Sequence, residues 1–503
     1  QGLRFYPPET HGKAVAMSPQ MDGQYRAQPH AQKGKLGPKR AVSQSARNVN
    51  AILCRAAHSG SIDCLLDTAI GMQHRMTFVN LSTAMHKLAR IVKENNRPIK
   101  MGDNRFVALH SRLVGELELQ IKTASAGSGS EVFPRCWSTI AWVYATLQVQ
   151  DLDVGYVFSS IAQLAAPNLN TFKSFEFTNM LWAFAKAQVM NPALFDAACC
   201  HIVKNLDQFS RLDVSLIVWT LVTADCYHCG MLRKLTEQFT RQMGREKVTT
   251  VSIANLMWGL ATASVHPKLS VFQHIGNETI GIVHEFKSQE LSITAWAFSR
   301  LGVRHDDLFA AICQRLCQDR QFREQIHSQG MANFLWAINR QKELGTTPGL
   351  LGTYWCAMHA LIPHCHRALS QFKLQEYCCI LQAFQKFGLR WGACEDTDNL
   401  FVAAAQLGLP LTCHPRPSRF VDLLEIFVVF LGDADYAPAA CREFVIGLTR
   451  VCVARFHELE PNEVARFSKH ATSRQVPAEV RRELPRGVIA SCEEPAAGPG
   501  RCP

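Results

Sequence analysis

The stretch SFEFTNMLWAFAKAQVM, residues 174–190, decides the fold because the chain repeats it. Its residues Leu181, Trp182 and Ala185 fall at helical spacing, which predicts a helix with an apolar stripe. The stretch SQELSITAWAFSRLGVR, residues 288–304, is nearly the same helix. Aligning both on their tryptophans adds four further copies, centred on Trp142, Trp219, Trp258 and Trp336.

The six tryptophans, which include Trp296 of the second stretch, follow one another at steps of 40, 37, 39, 38 and 40 residues. We call the aligned site the tryptophan position. Weaker copies of the helix carry His86, Gln382 and Ala465 there. Self-similarity at such a period is typical of solenoids. The sequence therefore predicts an all-α fold, an α-solenoid of about eight to nine helical-hairpin repeats of ~38 residues.

Each repeat is predicted to contain a second helix after a short break. In the repeat of Trp182, Asn191 is the expected N-cap and Pro192 the first residue of the second helix. The stretch ALFDAACCHIVKNL follows and places Leu194, Ala198 and other apolar residues on one face. Two helices per period form an α-α hairpin repeat.

The residues around the tryptophan position predict how the repeats pack. Small residues allow adjacent helices to approach, and large ones fill the groove between repeats, so that stacking buries a face that one hairpin cannot bury alone. We expect all six indoles to belong to this core. The residues four places before the tryptophan position are Ser138, Thr178, Ser215, Ala254, Ser292 and Ala332, all small. One place after it stand Val143, Ala183, Thr220, Gly259, Ala297 and Ala337. Two places after it come the large residues Tyr144, Phe184, Leu221, Leu260, Phe298 and Ile338.

The sequence divides into five expected segments. Residues 1–47 form a basic arm, either a disordered tail or a transit-peptide remnant, with eight Lys and Arg against Glu9 and Asp22. The others are divergent repeats in 48–130, core repeats in 131–395, divergent helical repeats in 396–490 and a tail in 491–503. The Gly- and Ser-rich stretch ASAGSGSE, residues 124–131, is expected to be a flexible insertion.

The composition indicates a folded protein in a reducing compartment. Hydrophobic residues make up 47% of the chain and charged residues 19%, which is too apolar for disorder. The 19 cysteines are scattered through predicted helices and do not resemble a small disulfide framework. The net charge of +11 suits a polyanionic partner. No apolar stretch is long enough to predict membrane insertion.

No arrangement of residues predicts catalysis, and we expect no enzyme activity, cofactor or small-molecule substrate. Phosphate-binding loops, dinucleotide fingerprints and nucleophile elbows are all missing from the sequence. The pair in CYHC (Cys226 and Cys229) and the cluster PHCH (His364, Cys365 and His366) contain metal-ligand types. A structural zinc site needs four ligands, and neither has a second set at repeat spacing. We therefore predict no metal site.

One column of residues is a candidate RNA-binding site. It lies four residues after the tryptophan position, carries a cation or a hydroxyl in every repeat, and contains no acidic residue. Stacked repeats would align these side chains into a stripe that holds a phosphate backbone while unpaired bases reach neighbouring polar groups. An equally good reading is that cations favour the negative end of each helix dipole. The column consists of Arg90, Thr146, Lys186, Thr223, Thr262, Arg300, Arg340, Lys386 and Lys469. Further basic residues, ranked lower because charge runs are usually solvated, are Arg233, Lys234, Arg241, Arg245 and Lys247.

The segments NMLWAFAK, NLMWGLAT, ITAWAFSR and NFLWAINR, at their period of about 38 residues, resemble the octotricopeptide-repeat family, which is close to the FAST-kinase-like repeat proteins of organelles. The resemblance covers roughly residues 48–390. It implies an α-solenoid of an organelle matrix, with the mitochondrion favoured over the plastid, that binds organellar RNA. Many members carry a C-terminal RAP domain, which is not recognisable in residues 396–503.

The sequence is compatible with two functions. The first is a non-catalytic binder of single-stranded or ribosomal RNA that acts on transcripts or rRNA. The second is a structural scaffold subunit of a large organellar assembly such as a mitochondrial ribosome, with other proteins of the ribonucleoprotein as partners. Salt-dependent RNA binding by the isolated protein distinguishes them.

Overall fold

A computed structural model describes residues 44–100, 102–126, 131–148, 152–242, 244, 247–408, 417–434, 437–485 and 488. These residues form 23 α-helices joined by short turns, some of them 3-10 turns, and they contain no strand. The predicted all-α class is thereby confirmed. The chain divides between Pro267 and Lys268 into two compact units, which we call the N-terminal and the C-terminal unit and describe one at a time.

The N-terminal unit contains eleven helices in its described residues. They are α1 (Gln44–His58), α2 (Ile62–Gly71), α3 (Phe78–Asn95), α4 (Asn104–Ser125), α5 (Pro134–Leu147), α6 (Val154–Ala165), α7 (Ser174–Lys186), α8 (Pro192–Lys204), α9 (Arg211–Thr223), α10 (Cys229–Arg241) and α11 (Thr250–Thr262). The odd-numbered helices are the first helices of the repeats, and each packs on the next along the chain. The second helices α2, α4, α6 and α8 pack in the same order. The unit is therefore a two-layered solenoid stack.

The C-terminal unit repeats this arrangement. Its helices are α12 (Leu269–Gly281), α13 (Ser288–Arg300), α14 (Asp306–Gln318), α15 (Arg320–Glu324), α16 (Ser328–Glu343), α17 (Pro348–Arg367), α18 (Leu374–Phe387), α19 (Glu395–Gly408), α20 (Ser418–Leu431), α21 (Ala439–Ala454), α22 (Pro461–Ala471) and α23 (Ala478–Arg481). Here α13, α16, α18, α20 and α22 form the layer of first helices, and α12, α14, α17, α19, α21 and α23 form the layer of second helices. The predicted solenoid of helical hairpins is confirmed within each unit.

The predicted packing columns are buried. Every residue four places before, one place after and two places after the six tryptophans lies in the core. Gly259 shows how close the first helices come, because a Cβ added there would lie 2.5 Å from Val218 Cγ1 of the preceding first helix. Small side chains at these places therefore set the spacing of the first-helix layer.

Local capping explains where the helices begin. Asn191 accepts a hydrogen bond from the backbone N–H of Leu194 at 3.0 Å, which confirms it as the N-cap of α8. Five first helices, α7, α9, α13, α18 and α22, begin with a carboxylate that accepts from the backbone three residues earlier, as Glu176 does from Lys173 at 3.1 Å. Such a bond satisfies an N–H that the helix itself leaves unpaired.

Two features of the structure differ from the sequence-based expectation. The Gly- and Ser-rich stretch begins inside a helix, because α4 runs to Ser125, and residues 127–130 of that stretch lie outside the described residues. The long step from His86 to Trp142 therefore comes largely from α3 and α4, which have 18 and 22 residues, whereas each of the helices α7 to α14 has 13. The second difference is a complete extra repeat, α20 with α21, between the repeats of Gln382 and Ala465.

Candidate nucleic-acid interface

The tryptophan position faces away from the second helices. Two residues after it, Tyr144 meets His110 of α4, with ring centroids 5.8 Å apart. In the next repeat Phe184 meets Phe158 of α6 at 4.8 Å. A helix turns about 200° over two residues, so side chains at the tryptophan position point to the opposite side. The indoles therefore lie on the side of the first-helix layer that the second helices leave uncovered.

Burial along the first helices defines this surface. In α13 only Gln289, Ile293, Trp296 and Arg300 are not fully buried, and they are spaced at four, three and four residues. This spacing is one stripe along a helix. We define the open face as the surface formed by four positions of each first helix. These are seven and three residues before the tryptophan position, the tryptophan position itself, and four residues after it. In α16 the same positions are the partly exposed residues Gln329, Asn333, Trp336 and Arg340.

The aromatic rings form a row along the open face of the N-terminal unit. Trp219 lies between Trp182 and Trp258, with ring centroids 6.4 Å and 6.0 Å away, and His86 lies 5.4 Å from Trp142. Trp142, Trp182 and Trp219 are only 2–4% exposed, which confirms them as core residues. The other three tryptophans, Trp258, Trp296 and Trp336, are partly exposed, so the expectation of a fully buried indole is wrong for them.

The structure places the predicted stripe at one edge of the open face, within three residues of the helix end in every case except Arg90, which lies five residues before the end of α3. In the N-terminal unit successive first helices carry Arg90, Thr146, Lys186, Thr223 and Thr262. In the C-terminal unit α13, α16 and α18 carry Arg300, Arg340 and Lys386, and α22 carries Lys469. Because neighbouring first helices pack together, the structure brings the five side chains of the N-terminal unit into one row, and Arg300, Arg340 and Lys386 of the C-terminal unit into another.

The side chains of the stripe differ in how available they are to bind a phosphate. Arg300 is exposed and has no ionic partner among the described residues. The hydroxyl oxygens of Thr146 and Thr223 are covered and have no hydrogen-bond partner there. Glu343 lies 2.9 Å from Arg340 and 3.8 Å from Lys386, and so offsets charge at two places in the stripe. Glu94 offsets Arg90 in the same way at 2.8 Å.

The extra repeat interrupts the stripe in the C-terminal unit. In α20 the residues Ser418, Asp422, Glu425 and Val429 have the spacing of the open face, and the partly exposed Arg419 lies beside them and pairs with Asp422 at 3.2 Å. Glu425 therefore occupies the tryptophan position, and Val429 stands where the other repeats carry a cation or a hydroxyl. Arg466 of α22 binds both carboxylates, at 2.7 Å to Asp422 and 2.6 Å to Glu425. Lys469 is thus separated from Lys386 by an acidic helix.

The basic residues ranked lower in the sequence lie elsewhere. Arg233, Lys234 and Arg241 belong to the second helix α10, where Arg241 pairs loosely with Glu237 at 3.9 Å. Lys247 precedes α11, and Arg245 lies outside the described residues. Arg233, Lys234 and Arg241 therefore do not share the open face with the predicted stripe.

The side chains with perturbed pKa have structural partners. Burial raises the pKa of the Asp213 carboxyl, which accepts hydrogen bonds from Ser210 at 2.6 Å and Thr178 at 3.1 Å. Asp213 thereby caps α9 and ties it to α7. Burial also raises the pKa of the Cys365 thiol to about 12, so that this cysteine of the PHCH cluster is an unreactive core residue beside Met331.

The predicted metal-ligand candidates are dispersed, whereas another cluster brings three ligand types together. In PHCH, His364 is half-buried, Cys365 is buried and His366 is exposed. The side chains of His359, Cys394 and Asp396 instead approach within 4.8 Å of one another between α17 and the start of α19. They offer three ligands, fewer than a closed zinc site requires. Nothing in the sequence pattern links residues 35 apart on different repeats, so only the fold reveals this cluster.

No helix among the described residues has the length and apolarity needed to cross a bilayer. Residues 158–324 match the model of a protein family described as RNA-editing substrate-binding complex 6 protein. The match covers about a third of the chain, from α6 to α15, and includes the repeats of Trp182, Trp219, Trp258 and Trp296. It is a different family from the octotricopeptide-repeat proteins that the sequence resembles. No curated protein matches the chain.

Proposed function

We propose that the protein is a non-catalytic RNA-binding subunit of an organellar ribonucleoprotein, and that it holds RNA on the open face of its first helices. The observation that carries this proposal is the position of the predicted stripe. A side chain that is basic or hydroxylic, and never acidic, stands at this position in nine of the eleven first helices of the described residues, on the face of each unit that its second helices leave free. A row of such groups suits the regularly spaced phosphates of one RNA strand.

The family match supports the proposal from a separate direction. The description of the matching family names a protein of an RNA-editing substrate-binding complex, and the match covers four of the tryptophan repeats. We extend this to a proposed role for the chain in binding transcripts or rRNA without chemistry. An organelle matrix, the mitochondrion before the plastid, is the compartment that the octotricopeptide-repeat resemblance suggests.

Binding should depend on electrostatics in a measurable way. Neutralising about five phosphates of a single strand predicts a slope near −3.5 in a plot of log affinity against log salt concentration. Fluorescence anisotropy with a labelled single-stranded RNA measures this slope. A flat response or no binding would contradict the proposal.

Charge reversal tests whether the open face is responsible. The triple variant Lys186→Glu, Arg300→Glu and Arg340→Glu should lose most RNA affinity, and circular dichroism should show an unchanged helix content. The matched control is Arg233→Glu with Lys234→Glu, which reverses two exposed cations on a second helix. If the control loses as much affinity as the triple variant, the phosphates lie on the second helices instead.

A scaffold in a large organellar assembly is the second candidate function. The observations that favour it are the acidic partners of Arg90, Arg340 and Lys386 and the covered hydroxyls of Thr146 and Thr223, which weaken the attraction for free RNA. In that case the open face contacts a protein or an already folded rRNA. Salt-independent association with the purified assembly, without binding to free RNA, would favour the scaffold.

A further inference from the structure

Asparagine recurs on the open face, three residues before the tryptophan position. The sequences NMLW, NLMW and NFLW place Asn179 before Trp182, Asn255 before Trp258 and Asn333 before Trp336. Residues three apart on a helix are neighbours along its axis. Each of these amides therefore lies one turn from an indole, and the indole lies one turn from the phosphate-binding position of the proposed stripe.

Two of these amides are buried, the third is half-buried, and none of them is hydrogen-bonded within the described residues. Asn179 is 6% exposed, Asn255 is 4% exposed and Asn333 is half-buried. None of the three side chains has a hydrogen-bond partner in the described residues, and the Nδ2 of Asn255 is fully covered. The covered Nδ2 of Asn255 costs folding free energy, because its hydrogen bond to water is lost. The Oδ1 of Asn255 and the amides of Asn179 and Asn333 are not covered in this way, so a ligand can reach them.

Other asparagines of the first helices are satisfied. Asn80 of α3 donates to the carbonyl oxygen of Ala46 at 3.0 Å and to Oδ1 of Asn50 at 2.7 Å. Asn339 of α16 donates to the carbonyl oxygen of Ala383 at 2.6 Å. The fold can therefore pair a buried asparagine, and it does so at positions that face neighbouring helices.

The fold does not require an asparagine at this position. The first helix α9 carries Leu216 there, fully buried, and α13 carries Ile293. An apolar residue fills the place and leaves no amide unpaired. The recurrence of asparagine in three repeats therefore calls for a hydrogen-bond partner that comes from outside the chain.

We propose that Asn179, Asn255 and Asn333 read unpaired RNA bases. An asparagine amide offers one acceptor beside donors, which matches the adjacent donor and acceptor on an adenine edge and makes adenine the preferred base. In a single strand these edges are free to bind. The partly exposed indoles of Trp258 and Trp336 give the base an apolar surface one turn away. This inference rests on the proposed RNA-binding function and adds base selectivity to it.

The experiment compares RNAs that have the same length and charge. Wild-type protein is titrated with 20-nucleotide oligo(A), oligo(U) and an abasic 20-mer. We expect oligo(A) to bind at least tenfold more tightly than the abasic strand. In the variant Asn179→Ala, Asn255→Ala and Asn333→Ala this ratio should fall to about twofold, while affinity for the abasic strand and the salt slope stay unchanged.

Stability measurements separate a reading role from a structural one. The variant Asn255→Leu copies the residue that α9 carries at this position, and it should raise or preserve the melting temperature while it lowers the preference for oligo(A). The control Asn339→Ala should lower the melting temperature and leave base preference intact.

The outcomes distinguish the two proposals. Equal binding of oligo(A) and the abasic strand, or an unchanged ratio in the triple alanine variant, overturns base reading while RNA binding stands. If no RNA binds in a salt-dependent way, both the base reading and the proposed function fail.

Discussion

Trp182 and Trp336 hold the same position in their repeats but differ in what surrounds them. Trp182 is 2% exposed and lies beside Trp219, whereas Trp336 is partly exposed on the open face. The sequence predicts both as core because the local residues are alike. How much of an indole the neighbouring repeat covers depends on the side chains of that repeat, which the local pattern does not contain.

Replacing the buried indole should therefore cost more stability than replacing the exposed one. We expect Trp182→Ala to lower the free energy of unfolding by about 3–5 kcal/mol, the range for a large core aromatic. Trp336→Ala should cost clearly less, because less of its apolar surface leaves water on folding. Urea denaturation followed by circular dichroism measures both. Equal losses would show that the two indoles share one packing environment.

Glu343 is a residue whose removal should strengthen binding. It lies within 4 Å of both Arg340 and Lys386, so that Glu343→Gln leaves two stripe cations available to phosphate. RNA affinity should rise by roughly two- to fivefold and the salt slope should steepen by about 0.7. The exposed pair contributes only about 0–1 kcal/mol, so stability should hardly change.

The control for this variant is Glu237→Gln, which removes the partner of Arg241 on the second helix α10. We expect no change in RNA affinity there. A gain of the same size in both variants would mean that total charge, and not the open face, governs binding.

At the scale of the helices, the repeating pattern predicts most of the arrangement. Alignment on the tryptophan position places the first helices, the small residues between them and the N-cap at Asn191 correctly. It misses α20, because Glu425 stands at the tryptophan position and Asp422 three residues before it, which replaces the aromatic pattern with acidic residues. Only the fold shows which residues of α20 are buried, and this burial pattern identifies the residue that stands at the tryptophan position.

The close approach of α9 and α11 yields a test of this packing. In Gly259→Ala the new methyl group would meet Val218 Cγ1 at 2.5 Å. Overpacking of this kind costs about 1–3 kcal/mol, which outweighs the roughly 0.5–1 kcal/mol that alanine gains over glycine in a helix. We expect net destabilisation in thermal unfolding.

Gly115→Ala is the matched control for this substitution. Gly115 lies exposed within α4, and nothing approaches within 4 Å of its added Cβ. Without a clash, only the helix preference of alanine remains, and stability should rise by about 0.5–1 kcal/mol. A loss of stability in both variants would show that the clash with Val218 is not the cause.

At the scale of the whole molecule, the repeat pattern does not predict the division into two units. The steps between Trp219, Trp258 and Trp296 are regular across the boundary at Pro267 and Lys268. Register is encoded locally, in the spacing of apolar residues, whereas a compact unit arises from the packing of its neighbouring repeats on one another. The sequence therefore predicts the repeats, and the grouping of repeats into units becomes visible only in the fold.

Buried histidines should make the stability of both units depend on pH. Burial lowers the pKa of His110 and His201 in the N-terminal unit and of His364 and His470 in the C-terminal unit. The unfolded chain then binds more protons than the folded one as pH falls through about 6.5, the ordinary histidine pKa. The contribution of these histidines to the free energy of unfolding is therefore fully present above that pH and decreases as the solution becomes more acidic. The melting temperature should fall between pH 7.5 and 5.5.

His110 provides the specific test. It is 7% exposed, and its Nδ1 lies 2.7 Å from the hydroxyl of Tyr144, a bond that joins α4 to the first helix α5. In His110→Gln the fall in melting temperature with acidification should be shallower, because one group that resists protonation is gone. The exposed His266→Gln serves as the control and should leave the pH dependence as it is. An unchanged slope in His110→Gln would show that protonation at this site does not oppose folding, and that the acid sensitivity belongs to the other buried histidines.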